Sequence, residues 1–175
     1  MDTFMTIGTK SLLFGVHQFI LHPLLVIIAW VKLYHNLPKW RELVCIIIHD
    51  WGYYGVEDIK GVEGDKHPEF GAKIANKLFG IRYSKFILGH STFYSIRNDI
   101  GTSKLMPPDK YWHCIIPLWF YKVLSIPSGE WKYYRNLKHV RQVVEIEESD
   151  IVWWNNLQKV CLAKIDGRYM INRSN

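Results

Sequence analysis

The sequence predicts an all-α protein that folds as a single domain. Apolar residues recur at helical spacing along much of the chain, whereas the alternation of a half-buried strand is almost absent. Prolines and glycines stand where the apolar runs begin and end, as they do at helix boundaries. A length of 175 residues suits one domain with one substantial core.

Composition and charge narrow the class of protein. Apolar residues make up 49% of the chain and aromatic residues 15%, which excludes a disordered protein. The net charge of +6 suits a protein that handles anions such as phosphates. Lys and Arg are scattered, so contact with nucleic acid is compatible with the charge but is supported by no motif. The three cysteines lie far apart in apolar surroundings, as expected for free thiols in the reducing cytoplasm.

One segment near the N-terminus is long enough to span a membrane. Between Lys10 and Lys32 there are 21 residues without a formal charge. Two histidines, Gln18 and Pro23 interrupt this run, and polar groups are costly inside a bilayer. We therefore predict a buried core helix and a soluble protein that does not contact a membrane. A membrane-associated helical protein is the alternative, and no feature indicates an oligomeric state.

The first half of the chain is predicted to contain two or three helices. Residues 11–34 form one or two of them, with Pro23 near the first turn of the second. After a turn at 35–38, a helix runs from Pro38 or Lys39 into the pair His49-Asp50. Residues 53–66 are rich in Gly and acidic residues, which predicts an exposed loop forming a rim over this pair.

The second half is also predicted to be helical. Pro68 begins and Gly80 ends the clearest helix, and a shorter one covers 83–88. Another helix starts near Ser103 and continues to about 124, kinked or split at Pro117. An amphipathic helix over 128–140 and a last one, capped by Ser149 and reaching about 165, follow. The predicted domain thus has a core at about 11–125 and a C-terminal helical extension at about 128–165.

The pair His49-Asp50 predicts a metal site. It ends the apolar run Cys45–Ile48, so both side chains are expected to be buried. Burying an unpaired ionised carboxylate is very costly, and a divalent cation would satisfy the imidazole and the carboxylate together. Neighbouring residues on a helix point about 100° apart, so the helix must end or deform at the pair. Gly52 and Gly55 permit this break.

The order of further histidines and aspartates resembles a known family. His22-Pro-Leu-Leu-Val-Ile-Ile-Ala, His49-Asp50 and Ser-Lys-Leu ahead of Asp109-Lys110 are similar to the motifs of the HD-domain superfamily of metal-dependent phosphohydrolases, an all-α fold. His67-Pro-Glu-Phe-Gly-Ala and His90-Ser resemble the two extra histidines of the subgroup that can hold a second metal. That subgroup includes HD-type symmetrical dinucleoside tetraphosphate hydrolases and some cyclic-dinucleotide phosphodiesterases. The likeness covers about residues 15–115 and extends to small HD proteins of phages and bacteria.

This resemblance implies a site and a reaction. One or two divalent ions, such as Mn, Fe or Mg, would be bound by His22, His49, Asp50, His67, His90 and Asp109. A metal of this kind lowers the pKa of a bound water and polarises a phosphoryl group. His49 and Asp50 are also expected to be catalytic, with Lys104, Lys110 or Arg97 neutralising charge on the phosphate. The implied substrate is a nucleotide or another small phosphate ester.

Several alternatives remain open at the level of sequence. His17 could replace His22 as a ligand. Pro107-Pro108 departs from the family pattern and is expected to force the preceding backbone out of the helical region, placing Asp109 in the first turn of its helix. Asp99 is a possible substitute for Asp109. If the site is vestigial, the protein would instead be an inactive all-α binding or regulatory protein.

Overall fold

The computed structural model describes residues 5–135 and 149–166, and all regular structure within them is helical. The prediction of an all-α protein is therefore confirmed. The α-helices are α1 Ile7–Phe14, α2 Leu21–Tyr34, α3 Trp40–Ile48, α4 Val62–Asp65, α5 Pro68–Phe79, α6 Ile81–Leu88, α7 Thr92–Arg97, α8 Met106–Tyr111, α9 Leu118–Ser128, α10 Glu130–Arg135 and α11 Asp150–Ile165. Two 3-10 segments, Trp51–Tyr53 and Trp112–Cys114, complete the described helical structure.

The uncharged N-terminal run forms two helices, and the first begins earlier than predicted. Helix α1 starts at Ile7, where the hydroxyl of Thr6 accepts a hydrogen bond from the backbone N–H of Thr9. Helix α2 buries Val26, Ala29 and other residues along one side, whereas Leu24, Ile28 and Val31 on the helix are exposed. No described helix has the length and apolar character needed to cross a bilayer.

The main core is built around aromatic side chains from both ends of the chain. Trp30 on α2 packs in one buried cluster with Trp112. Trp153 and Trp154 on α11 belong to the same cluster. The C-terminal helix is thus part of the central packing, and its residues share the core with those at positions 11–125.

The segment 53–66 differs from the predicted exposed loop. Tyr53, Val56 and Ile59 are buried and form a small hydrophobic cluster, and α4 follows at Val62–Asp65. These three apolar residues are three positions apart, so they face inward while the glycines and acidic residues between them dominate the composition. The prediction of an exposed segment was wrong for these three residues because it relied on that composition, whereas Glu57 and Asp58 are exposed as predicted. The segment also borders the cavity beside the pair, through Ile59, Lys60, Gly64 and Asp65.

The prolines divide the later helices. Pro117 precedes the first turn of α9, so the stretch from Ser103 to 124 is split, as predicted. The helix in that stretch begins at Met106 rather than near Ser103. The amphipathic helix predicted for 128–140 is observed as α10, and its predicted residues after 135 lie outside the described chain.

Candidate metal centre

Six buried side chains converge at the centre of the helical fold. His22 lies in the first turn of α2, His49 and Asp50 follow the end of α3, and His67 directly precedes α5. His90 follows α6, and Asp109 lies in the first turn of α8. The ends of five helices therefore meet at one point, although up to 87 positions separate these residues along the chain.

The end of α3 lets His49 and Asp50 face the same point. The last helical residue is Ile48, and the chain passes through Asp50 at φ −101° and ψ 2° into the 3-10 segment. Gly52 lies so close to the backbone of His67 that an added Cβ would be 2.1 Å from its carbonyl oxygen. A Cβ added to Gly71, on α5, would likewise lie 2.4 Å from the carbonyl oxygen of Ile48. These close contacts bring the end of α3 against the start of α5.

Four side chains form the first ligand group. His22 Nε2 lies 3.1 Å from His49 Nε2, 3.1 Å from Asp50 Oδ2 and 3.2 Å from Asp109 Oδ1. His49 Nε2 lies 3.4 Å from Asp50 Oδ2 and 3.3 Å from Asp109 Oδ1. The four atoms all lie within 4.8 Å of one another.

Three side chains form the second ligand group, and one of them is shared with the first. Nε2 of His67 lies 3.0 Å from Nε2 of His90. The other carboxylate oxygen of Asp50, Oδ1, lies 3.4 Å from the His67 nitrogen and 3.3 Å from the His90 nitrogen. Asp50 therefore bridges the two groups, with one oxygen facing each.

Backbone carbonyls determine which nitrogen of three imidazole rings carries the proton. Nδ1 of His49, His67 and His90 each donates a hydrogen bond of 2.6 Å to the carbonyl oxygen three residues earlier. A carbonyl can only accept, so Nδ1 carries the hydrogen and Nε2 of the neutral ring has a free lone pair. In the second group, two such lone pairs face each other across 3.0 Å, beside a carboxylate oxygen. A cation between them would remove this repulsion.

The distances fit a divalent ion in each group. Ligands at about 2.0–2.2 Å from a metal in octahedral or tetrahedral geometry lie roughly 2.8–3.6 Å from their neighbours. The separations of 3.0–3.4 Å between these nitrogen and oxygen atoms fall in this range. Imidazole and carboxylate are common ligands of Mn, Fe and Zn. The buried cluster could therefore hold metal.

The pKa values of the side chains in the first ligand group also favour a bound cation. Burial alone lowers the pKa of His22, but hydrogen bonds to Asp109 and Asp50 outweigh it and raise the pKa to about 9. Burial alone raises the pKa of both carboxyl groups, yet the surrounding histidines, and Lys110 beside Asp109, hold each well below its usual range. Both carboxylates are thus ionised, and a metal would displace the proton of His22.

The second group contains imidazoles that resist protonation. Burial lowers the pKa of His67 far below its ordinary value, and it also lowers the pKa of His90. A metal ion requires neutral histidine ligands and ionised carboxylate ligands, and the second group meets both conditions.

The two ligand groups border a cavity of about 130 Å³. Lys110 lines this cavity, and its ammonium donates to Asp109 Oδ2 across 2.6 Å. Lys104, the other lysine predicted to be catalytic, is exposed, and its ammonium lies over the rings of Trp30 and Tyr34 at 4.5 and 4.6 Å. It is not among the residues that line the cavity. Arg97 forms an ion pair of 2.6 Å with the cavity residue Asp65.

The structure distinguishes the alternative ligands. His17 lines the cavity, but its Nδ1 interacts with Ser11 Oγ at 2.8 Å and Glu130 Oε1 at 3.2 Å, and His22 is the residue in the ligand group. Asp99 is exposed with a φ of 51° and belongs to neither group.

Pro107-Pro108 does not displace Asp109 from the centre. The aspartate lies in the first turn of α8, as the prolines predict. The preceding backbone was expected to leave the helical region, but Met106, the residue before Pro107, is the first helical residue of α8. A proline in the first turn is tolerated because its missing N–H would have no helical partner there.

Several polar cavity residues, among them Lys60, Thr92 and Lys164, were not identified from the sequence. Lys60 and Lys164 come from segments predicted to be a rim loop and a C-terminal extension, and Thr92 follows the His90-Ser motif without being part of it. Lys164 is in the last turn of α11, whose side chains Leu157 and Cys161 also line the cavity. Helical spacing places 157, 161 and 164 on one face of that helix, but only the structure shows where this face packs.

Compared with protein-family models, curated proteins and solved structures, the chain has no match.

Proposed function

We propose that the protein is a metal-dependent phosphohydrolase with an HD-type centre, acting on a nucleotide or another small phosphate ester. The observation that carries the proposal is the bridging position of Asp50, whose two oxygens face separate groups of imidazole nitrogens at 3.1–3.4 Å. His22, His49 and Asp109 would complete one ion site. His67 and His90 would complete a second.

The reaction would be hydrolysis of a phosphate ester. Bound divalent ions lower the pKa of water and polarise phosphoryl oxygens. A water oxygen would form a bond to phosphorus as the water loses a proton, the ester P–O bond would break, and the leaving oxygen would take up a proton, so that one water is consumed. Lys110 lines the cavity beside Asp109, where its ammonium would neutralise charge on the phosphoryl oxygens. Lys104 has no part in this proposal because it is directed to Trp30 and Tyr34.

The inference that the substrate is a nucleotide rests on the resemblance to HD-domain proteins. The cavity adds aromatic side chains to its charged groups, among them Tyr53, Phe93 and Trp112.

Metal content is the first test. We expect the purified protein to hold about one or two equivalents of a transition metal by elemental analysis, and His49→Ala to lose them. His35→Asn is the matched control, because His35 is exposed with a φ of 54° and Asn tolerates this left-handed backbone. The metal-loaded protein should then hydrolyse a phosphate mono- or diester in a screen with added manganese, while His49→Ala should not.

A different result would favour the second candidate function. If neither protein holds metal after incubation with excess manganese, iron or magnesium, the centre is a relic and the phosphohydrolase proposal is wrong. The inactive all-α binding or regulatory protein would then be the better hypothesis.

A further inference from the structure

A groove on the protein surface is lined by apolar and aromatic side chains. It has a volume of about 380 Å³ and lies where α1, the segment before α2, the 3-10 segment after α3 and the start of α5 meet. Its exposed side chains are Phe19, Trp51, Tyr54 and Phe70, each 37–73% accessible to solvent. Folding thus collects aromatic residues from three parts of the chain at one exposed place.

A stripe of exposed apolar residues on α2 begins beside this groove. Ile20, which follows Phe19 directly, and Leu24, Ile28 and Val31 recur at helical spacing, so they lie on one face of the helix. Each of the four is 38–64% exposed. We call the groove and this stripe together the apolar face. A connected exposed apolar surface of this kind marks a contact with another molecule.

The exposed charges of the segments that build the apolar face are basic. Positions 5–56 supply α1, α2, α3 and most of the groove, and they contain four basic and two acidic residues. Both carboxylates are engaged elsewhere. Asp50 is buried at the candidate metal centre, and Glu42 Oε2 accepts a hydrogen bond of 2.7 Å from the backbone N–H of Lys39.

Helix α5 adds two lysines beside the groove. Lys73 and Lys77 are exposed and follow Phe70 by three and seven positions, so they lie on the same side of the helix as this groove residue. The acidic residue of the helix, Glu69, forms a hydrogen bond with the side chain of Tyr94 on α7. A partner of the apolar face is therefore expected to combine negative charge with an apolar region.

The surface of an anionic membrane has both properties. Its hydrocarbon accepts apolar side chains, Trp and Tyr favour the level of the headgroups, and anionic headgroups attract Lys and Arg. A second copy of the chain fits less well, because a symmetric interface would bring the same basic residues of both copies together.

We propose that the apolar face binds the surface of a membrane that contains anionic lipid, with Lys73 and Lys77 at the lipid phosphates. The contact needs no spanning helix, and the described residues contain none. It differs from the sequence prediction that the protein does not contact a membrane, because that prediction considered only a segment that crosses the bilayer. The inference is independent of the proposed function.

Cosedimentation with vesicles tests the proposal. The purified protein is mixed with vesicles of phosphatidylcholine alone, or with vesicles in which phosphatidylglycerol is about a third of the lipid. We expect at least about tenfold tighter binding to the anionic vesicles at low salt, and loss of most of this difference at high salt. Absence of binding, or equal binding to both kinds of vesicle, would overturn the proposal.

Two double variants examine the two parts of the contact. Leu24→Gln with Phe70→Gln removes exposed apolar side chains, and Lys73→Glu with Lys77→Glu reverses two exposed charges. Each should weaken binding to the anionic vesicles about tenfold or more, with thermal unfolding unchanged because all four side chains are exposed.

Matched controls lie on helices that contribute nothing to the apolar face. Ile151→Gln with Leu162→Gln on α11, and Lys132→Glu with Lys159→Glu on α10 and α11, change exposed residues of the same kinds. Both should bind as wild type. Equal losses in the controls, or no loss in either face variant, would contradict the proposal. A lipid-free dimer by light scattering that Leu24→Gln with Phe70→Gln converts to a monomer would assign the face to a second copy instead.

Discussion

At the scale of single residues, the centre depends on one carboxylate and three fixed imidazole rings. Asp50 is the only described side chain with atoms in both ligand groups. The rings of His49, His67 and His90 are held by the same contact, Nδ1 to the carbonyl three residues earlier, at 2.6 Å in each case. Such hydrogen bonds fix the ring orientation and the tautomer before any ligand binds.

The sharing of Asp50 predicts unequal effects of removing single ligands. Because His90 belongs to the second group alone, His90→Ala should reduce the metal content from about two equivalents to one. Asp50→Ala should remove both, since each group loses a ligand and the negative charge that favours the ion. Elemental analysis of the dialysed variants measures the difference. Equal losses in the two variants would show that the groups do not bind metal independently.

At the scale of helices, the centre depends on how closely α3 and α5 approach. The glycine at position 71 permits this contact, because a Cβ there would lie 2.4 Å from the carbonyl oxygen of Ile48. That carbonyl belongs to the backbone, which moves less readily than a flexible side chain. His49 and His67, at the adjoining ends of the two helices, take their relative position from this contact.

The close approach of the two helices predicts the effect of one added methyl group. Gly71→Ala should destabilise the protein by about 1–3 kcal/mol through overpacking and should also weaken metal binding. Urea denaturation and metal titration measure the two effects. Gly101→Ala is the control, because an added Cβ there meets no atom within 4 Å. A stable Gly71→Ala protein with normal metal affinity would mean that α5 can move without disturbing the ligands.

At the scale of the whole molecule, a buried carboxylate joins the two ends of the fold. Glu130, fully buried, accepts hydrogen bonds from Ser11 Oγ at 2.7 Å and from the backbone N–H of Val16 at 2.8 Å, across 119 and 114 positions. Ser128 Oγ and His17 Nδ1 complete its partners at 2.7 and 3.2 Å. The carboxylate thus connects the N-terminal segment to the junction of α9 and α10.

Glu130 predicts a pH-dependent contribution to stability. Burial alone raises its pKa, but hydrogen bonds from His17, Val16 and Ser11 outweigh it and hold the pKa below the ordinary 4.5. A lowered carboxyl pKa stabilises the fold above the unfolded value and loses this effect as the pH falls through the folded value. Glu130→Gln should therefore cost roughly 2–3 kcal/mol at neutral pH and progressively less below pH 4.5.

Denaturation by urea at several pH values measures the difference between wild type and this variant. Glu57→Gln provides the control, since Glu57 is exposed. A difference that stays constant down to the lowest pH would show that the charge of Glu130 is not what stabilises the junction.

Sequence patterns alone were enough to predict the secondary structure class and many of the helix ends. Periodic apolar residues require helices that bury one side, and Pro68, Gly80 and Pro117 mark boundaries because proline lacks an N–H and glycine tolerates positive φ. The sequence also indicated the chemistry of the centre, since His and Asp at the end of an apolar run need a buried partner. These inferences are local, so no knowledge of packing was needed.

Which side chains come into contact depends on the packing of the helices and could not be predicted from the sequence. The convergence of His22 and Asp109 near 3.2 Å, and the choice of His22 over His17, depend on contacts between helices that are far apart along the chain. Lys60 and Lys164 line the same cavity because α11 packs against the rest of the core, and this contact too could not be read from the sequence. Composition describes each segment alone, whereas burial and electrostatic contact depend on distances across the folded chain.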